Sequence, residues 1–487
     1  MTGSIRNLVA SLLTILLMAG CADMSGLSST SAQGDANALP STRSLAGTTL
    51  SPAAWPTSDW WTAFHDTQLD ALMQEALTGS PTLKVAEART RKALAFADSA
   101  KAALYPQIDA NLAITEQRFP EHGLYPPPFA GTWNTFNVLQ ANLNWEIDFW
   151  GKNRSAYESA LDLARVAEID AYAARLALSV NIAQTYVQLQ RAYLLLDVAQ
   201  LTLKEREDTY ALTRDRTVAG LDSRLELKQA ETAIPATKEL ITRLEETIAI
   251  NRNALAALLG QGPDRGLAIT RPAAEAMRSL ALPSNVPAEL IGRRPNLVAQ
   301  RWRIESSQQN IANAKAQFYP NINLAAFIGL QSLGSAGFLS TASRTMGIGP
   351  AITLPIFEGG RLRANLAETH ADYDAAVEQY NQAMADALKD VVDQLTSWRS
   401  VEQQLVQQQA ALDSAQEAYN LALMRYREGI GNYLQVLSVE APLLDQQSLA
   451  AELRARQLDI SVNLVRALGG GFDASSMPLA SANPAAH

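Results

Sequence analysis

The chain repeats itself, and this internal repeat limits its fold more than any other feature. The segments Pro81 to Pro106 and Pro295 to Pro320 share the same proline spacing and lie 214 residues apart. Three glycine pairs recur in the same order, each 209 residues apart: Gly151 with Gly360, Gly220 with Gly429, and Gly260 with Gly469. Self-similarity at a nearly fixed period indicates one supersecondary unit used more than once. We therefore predict two copies of one unit, over residues 56–265 and 266–472.

Within each copy the hydrophobic pattern changes from helical to alternating. Alternation of period two predicts four strands of about ten residues, over residues 107–117, 137–150, 321–331 and 346–357. Segments rich in Gly, Ser or Pro separate the members of each pair and predict hairpin loops. A very long helical pattern follows each hairpin and reverses near Gly220 or Gly429, where glycine can take the left-handed conformation that ends a helix. The chain is therefore predicted to be mainly α-helical, with four β-strands.

The length and alternation of the strands are typical of an outer-membrane β-barrel, whose strands of about 9–11 residues face lipid and lumen in turn. The polar residues predicted to line the lumen are Asp109, Asn111, Asn142, Asn144 and Glu146. Four strands cannot close, because the smallest barrels of this type use about eight, and open edges are not tolerated in lipid. Two copies of the chain would supply eight strands and three would supply twelve. Spacing alone does not choose between these assemblies.

The amino terminus resembles a bacterial lipoprotein signal. Residues 1–20 carry one cation before an apolar run that is too short to span a membrane, as in a secretory signal peptide. Cys21 is the single cysteine and follows Met18-Ala19-Gly20, so we predict that it is lipidated and begins the mature chain. Two or more acyl chains give stable anchoring in a membrane. The small polar residues of 21–55 predict an extended tether, and residues 473–487 a flexible tail.

Composition argues against several classes of function. The net charge of −9 disfavours nucleic acid as a partner, since phosphate binding needs a basic face. One cysteine and four widely separated histidines supply no cluster typical of a metal site. No nucleophile, base and orienting residue occur in a catalytic pattern. We therefore expect no enzymatic activity, no metal, and no cofactor other than a covalent lipid on Cys21.

These features together resemble the outer membrane efflux protein family of the TolC and OprM type. The resemblance is closest to its NodT-like lipoprotein branch, which serves pumps of the resistance-nodulation-division class. Besides the doubled unit and Cys21, it rests on Trp60-Trp61-x-x-Phe64-x-Asp66, Glu146-Ile147-Asp148-Phe149-Trp150-Gly151 and Leu354-Pro355-Ile356-Phe357-Glu358-Gly359-Gly360-Arg361. It implies a homotrimer anchored in the outer membrane, with a twelve-stranded barrel that continues into the periplasm as an α-helical barrel.

The resemblance also implies a function and two partners. The function is that of a passive conduit for drugs or other toxic compounds, working with a periplasmic adaptor (membrane fusion) protein and an inner-membrane pump. Two alternatives within the same class are a channel for type I protein secretion and a channel for metal efflux. A periplasm-spanning structural lipoprotein is the alternative from a different class. The strand pattern favours a conduit, since a scaffold has no reason to place Asn142 and Asn144 opposite Trp145.

The resemblance places the functional residues of the helical part at two hairpin tips. The tip residues expected to dock the adaptor are Gly220, Leu221, Asp222, Ser223, Gly429, Ile430, Gly431 and Asn432. Candidates for a gate at the periplasmic entrance are Arg216, Glu226, Arg425, Tyr426, Gln435 and Ser438. In our hypothesis Glu226 is the acidic residue at the closed entrance, with hydrogen bonds and salt links from Tyr426 and the two arginines. Gln435 and Ser438 stand at positions that are often acidic in the family, which argues against a strongly acidic ring.

Overall fold

The structure, a computed structural model, describes residues 24–45, 49–50, 55–273, 281–282 and 286–474. The predicted signal peptide and Cys21 lie outside the described residues, as does most of the predicted tail. The main helices are α1 (Thr67–Gly79), α2 (Pro81–Ala102), α3 (Lys152–Val218), α4 (Arg224–Leu258), α5 (Val286–Arg293), α6 (Pro295–Ala316), α7 (Arg361–Arg427) and α8 (Tyr433–Ala467). Within these ranges no helix has both the length and the apolar run that a membrane crossing needs.

The two halves of the chain contain equivalent helices of equal length. Helices α2 and α6 have 22 residues each, α3 and α7 have 67, and α4 and α8 have 35. At 1.5 Å per residue, the longest pair extends about 100 Å. Pro81 and Pro295 each occupy the first turn of their helix, where the missing N–H of proline costs no hydrogen bond. The predicted mainly helical fold with two structural repeats is confirmed.

All four predicted strands lie in one antiparallel sheet, in the order β1-β2-β3-β4. Their bounds are β1 (Gln107–Arg118), β2 (Trp133–Ile147), β3 (Asn321–Leu333) and β4 (Arg344–Thr353). Strand β2 of the first repeat pairs with β3 of the second, with Ile147 opposite Ile322 and Phe136 opposite Leu333. The sheet therefore joins the two repeats, and β1 and β4 form its two edges.

Two strands end earlier than the alternation predicts. Strand β2 ends at Ile147 rather than at residue 150, and β4 ends at Thr353 rather than at residue 357. Asp148 leaves the ladder and accepts hydrogen bonds from the backbone N–H groups of Asn153 (3.2 Å) and Arg154 (2.7 Å) in the first turn of α3. After β4, the proline at position 355 has no N–H to donate to a neighbouring strand. The apolar alternation thus continues beyond the paired residues.

Part of the predicted extended tether, residues 24–41, lies along α7. Arg363 in the first turn of α7 donates to the carbonyl oxygen of Ser25 at 3.0 Å. Further along the helix, the Asp374 carboxylate accepts from the backbone N–H and the hydroxyl of Thr30, at 2.9 and 2.8 Å. The segment therefore runs in the same direction as α7, and its end near residue 24 lies closest to the sheet.

Three consecutive glycines after α8 lie where the two repeats meet. Gly469, Gly470 and Gly471 all have positive φ angles, of 93°, 61° and 82°. A Cβ at Gly469 would lie 1.9 Å from the backbone oxygen of Arg293, and one at Gly471 would lie 2.3 Å from that of Thr57. The backbone of the second repeat can approach its neighbours this closely because these positions carry no side chain.

Candidate functional site

One face of the sheet is apolar and exposed. The register places alternate residues of all four strands on this face, with Ile108 beside Leu143 and Ile322 beside Ile352. Its large exposed side chains include Ile108, Leu112, Ile114, Trp133, Leu139, Ile328, Met346, Ile348 and Ile352. A contiguous exposed apolar surface marks an interaction with protein or membrane. A lipid-facing band of a β-barrel has this composition.

The opposite face is polar along β1 and β2. It carries the residues predicted from sequence for the lumen, Asp109, Asn111, Asn142, Asn144 and Glu146. Several of them are linked. The Asn142 amide donates to the Asp109 carboxylate at 3.0 Å and accepts from Gln140 at 2.6 Å, while Lys152 pairs with Glu146 at 2.5 Å. The structure thus brings the five predicted residues to a single hydrogen-bonding face.

Both long helices reverse at a glycine in the left-handed conformation. Gly220 has a φ of 72° and Gly429 a φ of 79°. In each tip the residue after the glycine donates its N–H to the carbonyl four residues before the glycine, at 2.9 Å after α3 and 3.0 Å after α7. The N-caps of the return helices α4 and α8 are Ser223 and Asn432, whose side chains accept hydrogen bonds from backbone N–H groups of the first turn. Both tips are therefore capped reversals.

The two tips expose apolar side chains at equivalent positions. Leu221 is 66% exposed and Ile430 is 67% exposed, each directly after the tip glycine. The neighbouring exposed apolar residues are Val218, Leu225, Met424 and Leu434. A capped turn does not require apolar residues that face solvent. Clusters of this kind mark surfaces that bind another protein.

A buried ion pair of the first tip, Arg216 with Asp222, is linked to the second tip through Tyr426. Arg216 donates to the Asp222 carboxylate at 2.9 Å, and the Tyr426 hydroxyl donates to the same carboxylate at 2.6 Å. Arg216 also donates to the Tyr426 carbonyl at 3.0 Å, and its guanidinium lies 4.6 Å from the centre of the tyrosine ring. The side chains of Arg216 and Asp222 are only 12% and 7% exposed. Burial and the Asp222 carboxylate raise the pKa of Tyr426 to about 12, so its hydroxyl keeps the proton that it donates.

Asp222 rather than Glu226 is the acidic residue of this cluster. The Glu226 carboxylate accepts from the backbone N–H of Ser223 at 2.9 Å and also contacts the Ser223 hydroxyl, in a capping box. These hydrogen bonds from Ser223 lower the pKa of Glu226. Arg425 is exposed, and its carbonyl accepts from two backbone N–H groups of the second tip. Within the chain, the Glu226 carboxylate caps α4 instead of making the predicted contacts with the two arginines and Tyr426.

Thr213 belongs to the same cluster, although sequence reasoning does not identify it. Its hydroxyl oxygen lies 2.8 Å from the hydroxyl of Tyr426. No local motif marks Thr213, since it meets Tyr426 only through the packing of α3 against the end of α7. The remaining gate candidates lie at the start of α8, where Ser438 donates to the Gln435 carbonyl at 2.8 Å. We use the name Asp222 cluster for Thr213, Arg216, Asp222 and Tyr426.

Aromatic residues surround the junction of the sheet with the long helices. Trp150 stacks on Tyr319 with ring centres 4.6 Å apart, and its indole N–H donates to the Pro320 carbonyl at 2.9 Å. Phe149 and Phe357 are exposed beside them and line an open cavity of about 740 Å³. Aromatic rings with one polar end favour membrane–water interfaces. Across the described ranges, no three His, Cys, Asp or Glu side chains are grouped so that they could hold a metal ion.

Comparisons with known proteins agree with this geometry. A model of the family described as outer membrane efflux protein matches residues 72–261 and again residues 286–470. The fusaric acid resistance protein FusA of Burkholderia cepacia is 41% identical over 368 residues, which are 74% of this chain and 69% of FusA. The multidrug resistance outer membrane protein MdtP of Escherichia coli K12 is 30% identical over 433 residues, 87% of this chain and 88% of MdtP. The crystal structure of the outer membrane protein VceC of Vibrio cholerae matches with a TM-score of 0.80 and 36% identity, over 86% of this chain and 100% of VceC.

Proposed function

This chain belongs to the outer membrane efflux protein family, and from that premise we propose that it is a passive conduit for drugs or other toxic compounds. Its place is the outer membrane, from which the long helices extend into the periplasm. The observation that carries the proposal is the sheet, whose exposed apolar face suits lipid while its opposite face suits water. An inner-membrane pump of the resistance-nodulation-division class supplies the energy, and the chain itself performs no catalytic step. The names of MdtP and FusA, which refer to multidrug and fusaric acid resistance, support organic toxins as cargo.

A homotrimer completes the barrel in this proposal. The backbone groups along the outer edges of β1 and β4 need partners, because an unpaired edge in lipid costs several kcal/mol for each group. Pairing β1 of one copy with β4 of the next satisfies both edges. Three copies give a twelve-stranded barrel, the number that the resemblance to the TolC and OprM type implies.

The helices support the same assembly. Helix α6 is buried along much of its length between α3 and α7, with Leu297 and Trp302 among its buried residues. In its equivalent α2, which the structure describes in full, Ala97 alone is buried, and Val85 and Phe96 are exposed. The second repeat thus packs on the first within one chain, while the first repeat lacks the corresponding neighbour. We infer that α7 of an adjacent copy covers the exposed face of α2.

We expect Phe96→Lys to abolish the trimer. Burial of a phenylalanine side chain stabilises an interface by about 1.5–3 kcal/mol, and the charge of lysine would also have to be desolvated at all three contacts. The measurement is the heat-resistant trimer band on gels, together with ion conductance of the purified protein in planar bilayers. Leu124→Lys is the matched control, since Leu124 lies 97% exposed in a hairpin loop and should leave trimer and conductance unchanged. A trimer of wild-type stability in Phe96→Lys would contradict the interface, and absence of conductance in the wild type would contradict the conduit.

The hairpin tips are the docking surface for the periplasmic adaptor in this proposal. Leu221 and Ile430 supply apolar contacts at equivalent positions, so the trimer would present six similar tips around the periplasmic end. The Asp222 cluster ties the two tips of each chain together and would hold the entrance closed. The lumen side of the barrel is the polar face that carries Asp109 and Asn142.

Lipidation of Cys21 anchors the chain at the level of the sheet in this proposal. Ser25 is held beside the first turn of α7, close to the end of β4. Cys21 precedes Ser25 by four residues in the sequence, so acyl chains on Cys21 would be attached close along the chain to the segment that lies beside the sheet.

We expect radiolabelled palmitate to label the wild-type protein in cells and to leave Cys21→Ser unlabelled. Because the chain has a single cysteine, loss of the label identifies the site directly. The control is Cys21→Ser combined with Ser28→Cys, which restores a thiol at an exposed position outside the lipoprotein signal and should stay unlabelled. Labelled protein from either variant, or an unlabelled wild type, would refute the assignment.

A further inference from the structure

Phe327 is a large aromatic residue on the lumen face of the sheet, where its neighbours along β3 and on β4 are small. In the register, Phe327 pairs with Asn142 on one side and with Gly347 on the other, so its side chain projects from the same face as Asn142. It remains 39% exposed in the chain. An aromatic side chain that faces a water-filled space forfeits the favourable burial that aromatic residues normally gain. The exposed ring is therefore available for contact with a molecule that passes through the lumen.

The ring of Phe327 lies against small residues of the sheet. Gly347 lies directly beneath the ring, and a Cβ there would approach Phe327 Cε1 to 2.7 Å and Cζ to 2.8 Å. Along β3, the next residues on the same face are Ala325 and Gly329, and neither reaches as far from the sheet as the phenylalanine. Because Gly347 has no side chain, the ring of Phe327 packs directly against its backbone. The opposite side of the ring faces the lumen.

A carboxylate lies on the same face across one strand. Asp109 pairs with Asn142, which pairs with Phe327, so the two side chains are separated by two strand spacings, about 10 Å. Glu146 on this face is neutralised by Lys152 at 2.5 Å. Among the described residues, the hydrogen-bonding partner of Asp109 is the uncharged amide of Asn142, at 3.0 Å. The lumen face of the sheet thus carries both the uncompensated charge of Asp109 and the exposed ring of Phe327.

We propose that Phe327 and Asp109 form a contact site in the barrel lumen for lipophilic organic cations. The proposal rests on the proposed conduit and specifies which cargo the barrel favours. A cation is attracted to the face of an aromatic ring and to the carboxylate, while the apolar groups of the same molecule pack against the ring. In the trimer, three such pairs lie at one level and form a ring of six side chains. A cargo molecule then moves past this level by exchange between equivalent sites.

The test uses wild-type trimer in planar bilayers, with tetraphenylphosphonium added on the side of the hairpin loops. We expect this cation to block the ionic current and the equally large anion tetraphenylborate to block it much less. Phe327→Ala should weaken the block by tetraphenylphosphonium about two- to fivefold, the effect of losing one cation–aromatic contact. Asp109→Asn should weaken it about twofold, the effect of removing one charge at this distance in water.

Two further variants separate the site from general effects. Ile328→Ala changes the next residue, whose side chain lies on the apolar face, and should leave the block unchanged. Phe327→Leu keeps an apolar side chain but removes the aromatic face, and should weaken the block like Phe327→Ala. Wild-type block in Phe327→Ala or Phe327→Leu, or equal block by both ions, would overturn the site while leaving the conduit intact. A wild-type protein without conductance would overturn the conduit and the site together.

Discussion

Asp222→Ala should shift the periplasmic entrance strongly towards the open state and raise the single-channel conductance of the trimer. The alanine removes the acceptor of the hydrogen bonds from Arg216 and Tyr426, which are 2.9 and 2.6 Å long. Each hydrogen bond to a charged group contributes about 1.5–3 kcal/mol. About 1.4 kcal/mol corresponds to about tenfold in an equilibrium constant. Loss of the carboxylate should therefore raise the equilibrium constant for separation of the tips by at least about tenfold.

Two further variants test this prediction. Tyr426→Phe removes one hydrogen bond and keeps the ring, which packs with Tyr433 in the apolar cluster at the tips, so its effect should be smaller than that of Asp222→Ala. Glu226→Gln is the decisive control, because Glu226 is the acidic gate residue predicted from sequence. It should leave conductance unchanged, since its carboxylate only caps α4. A higher conductance in Glu226→Gln than in Asp222→Ala would show that Glu226, the residue predicted from sequence, closes the entrance and that Asp222 does not.

Gly469→Ala should prevent accumulation of assembled protein in the outer membrane. An alanine at a φ of 93° costs about 1–2 kcal/mol from the backbone conformation alone. Its Cβ would also lie 1.9 Å from the carbonyl oxygen of Arg293, which belongs to the backbone and cannot rotate away. The backbone at Arg293 would have to move away from the end of α8. A forced overlap of this kind is expected to lower the free energy of unfolding by more than about 4 kcal/mol.

The amount of heat-resistant trimer in membrane fractions measures the effect of Gly469→Ala. Gly334→Ala separates backbone strain from steric overlap, because Gly334 has a similar φ of 77° but no atom within 4 Å of the position that the new methyl group would take. This control should lower the thermal stability slightly and still assemble. If both variants assembled equally well, the close approach of Gly469 to Arg293 would not be needed for the fold.

The helix tips illustrate what sequence reasoning can and cannot reach. Gly220 and Gly429 are recognisable because a helix reversal needs a left-handed residue within a few positions of the last turn. The acidic partner is not recognisable in the same way. Asp222 and Glu226 are four residues apart at one tip, and the choice between them depends on the position of Tyr426, more than 200 residues away. The hydrogen bond from Ser223 to Glu226 joins residues that are close in the sequence. The hydrogen bond from Tyr426 to Asp222 joins residues that are far apart, so the sequence does not reveal it.

The sheet shows the same division. Alternation along each strand separates Asn142 from Trp145 and assigns the two faces, since successive side chains of a strand point in opposite directions. The pairing of β2 with β3 joins different repeats, and periodicity within a strand contains no information on its neighbour. For this reason Phe327 does not stand out in the sequence. Its position beside Asn142 and over Gly347 follows only from the register.

The sequence by itself determined the doubled unit, the helical and extended segments, the glycine reversals and the two faces of the strands. These properties depend on the backbone preferences and hydrophobic spacing of residues that are close in the chain. Only the tertiary structure decided that α6 is covered while its equivalent α2 is exposed, and that Asp222 holds Arg216 and Tyr426. Equivalent local sequences acquire different surroundings when long helices pack, because each burial and each ion pair depends on residues that the chain brings from far away.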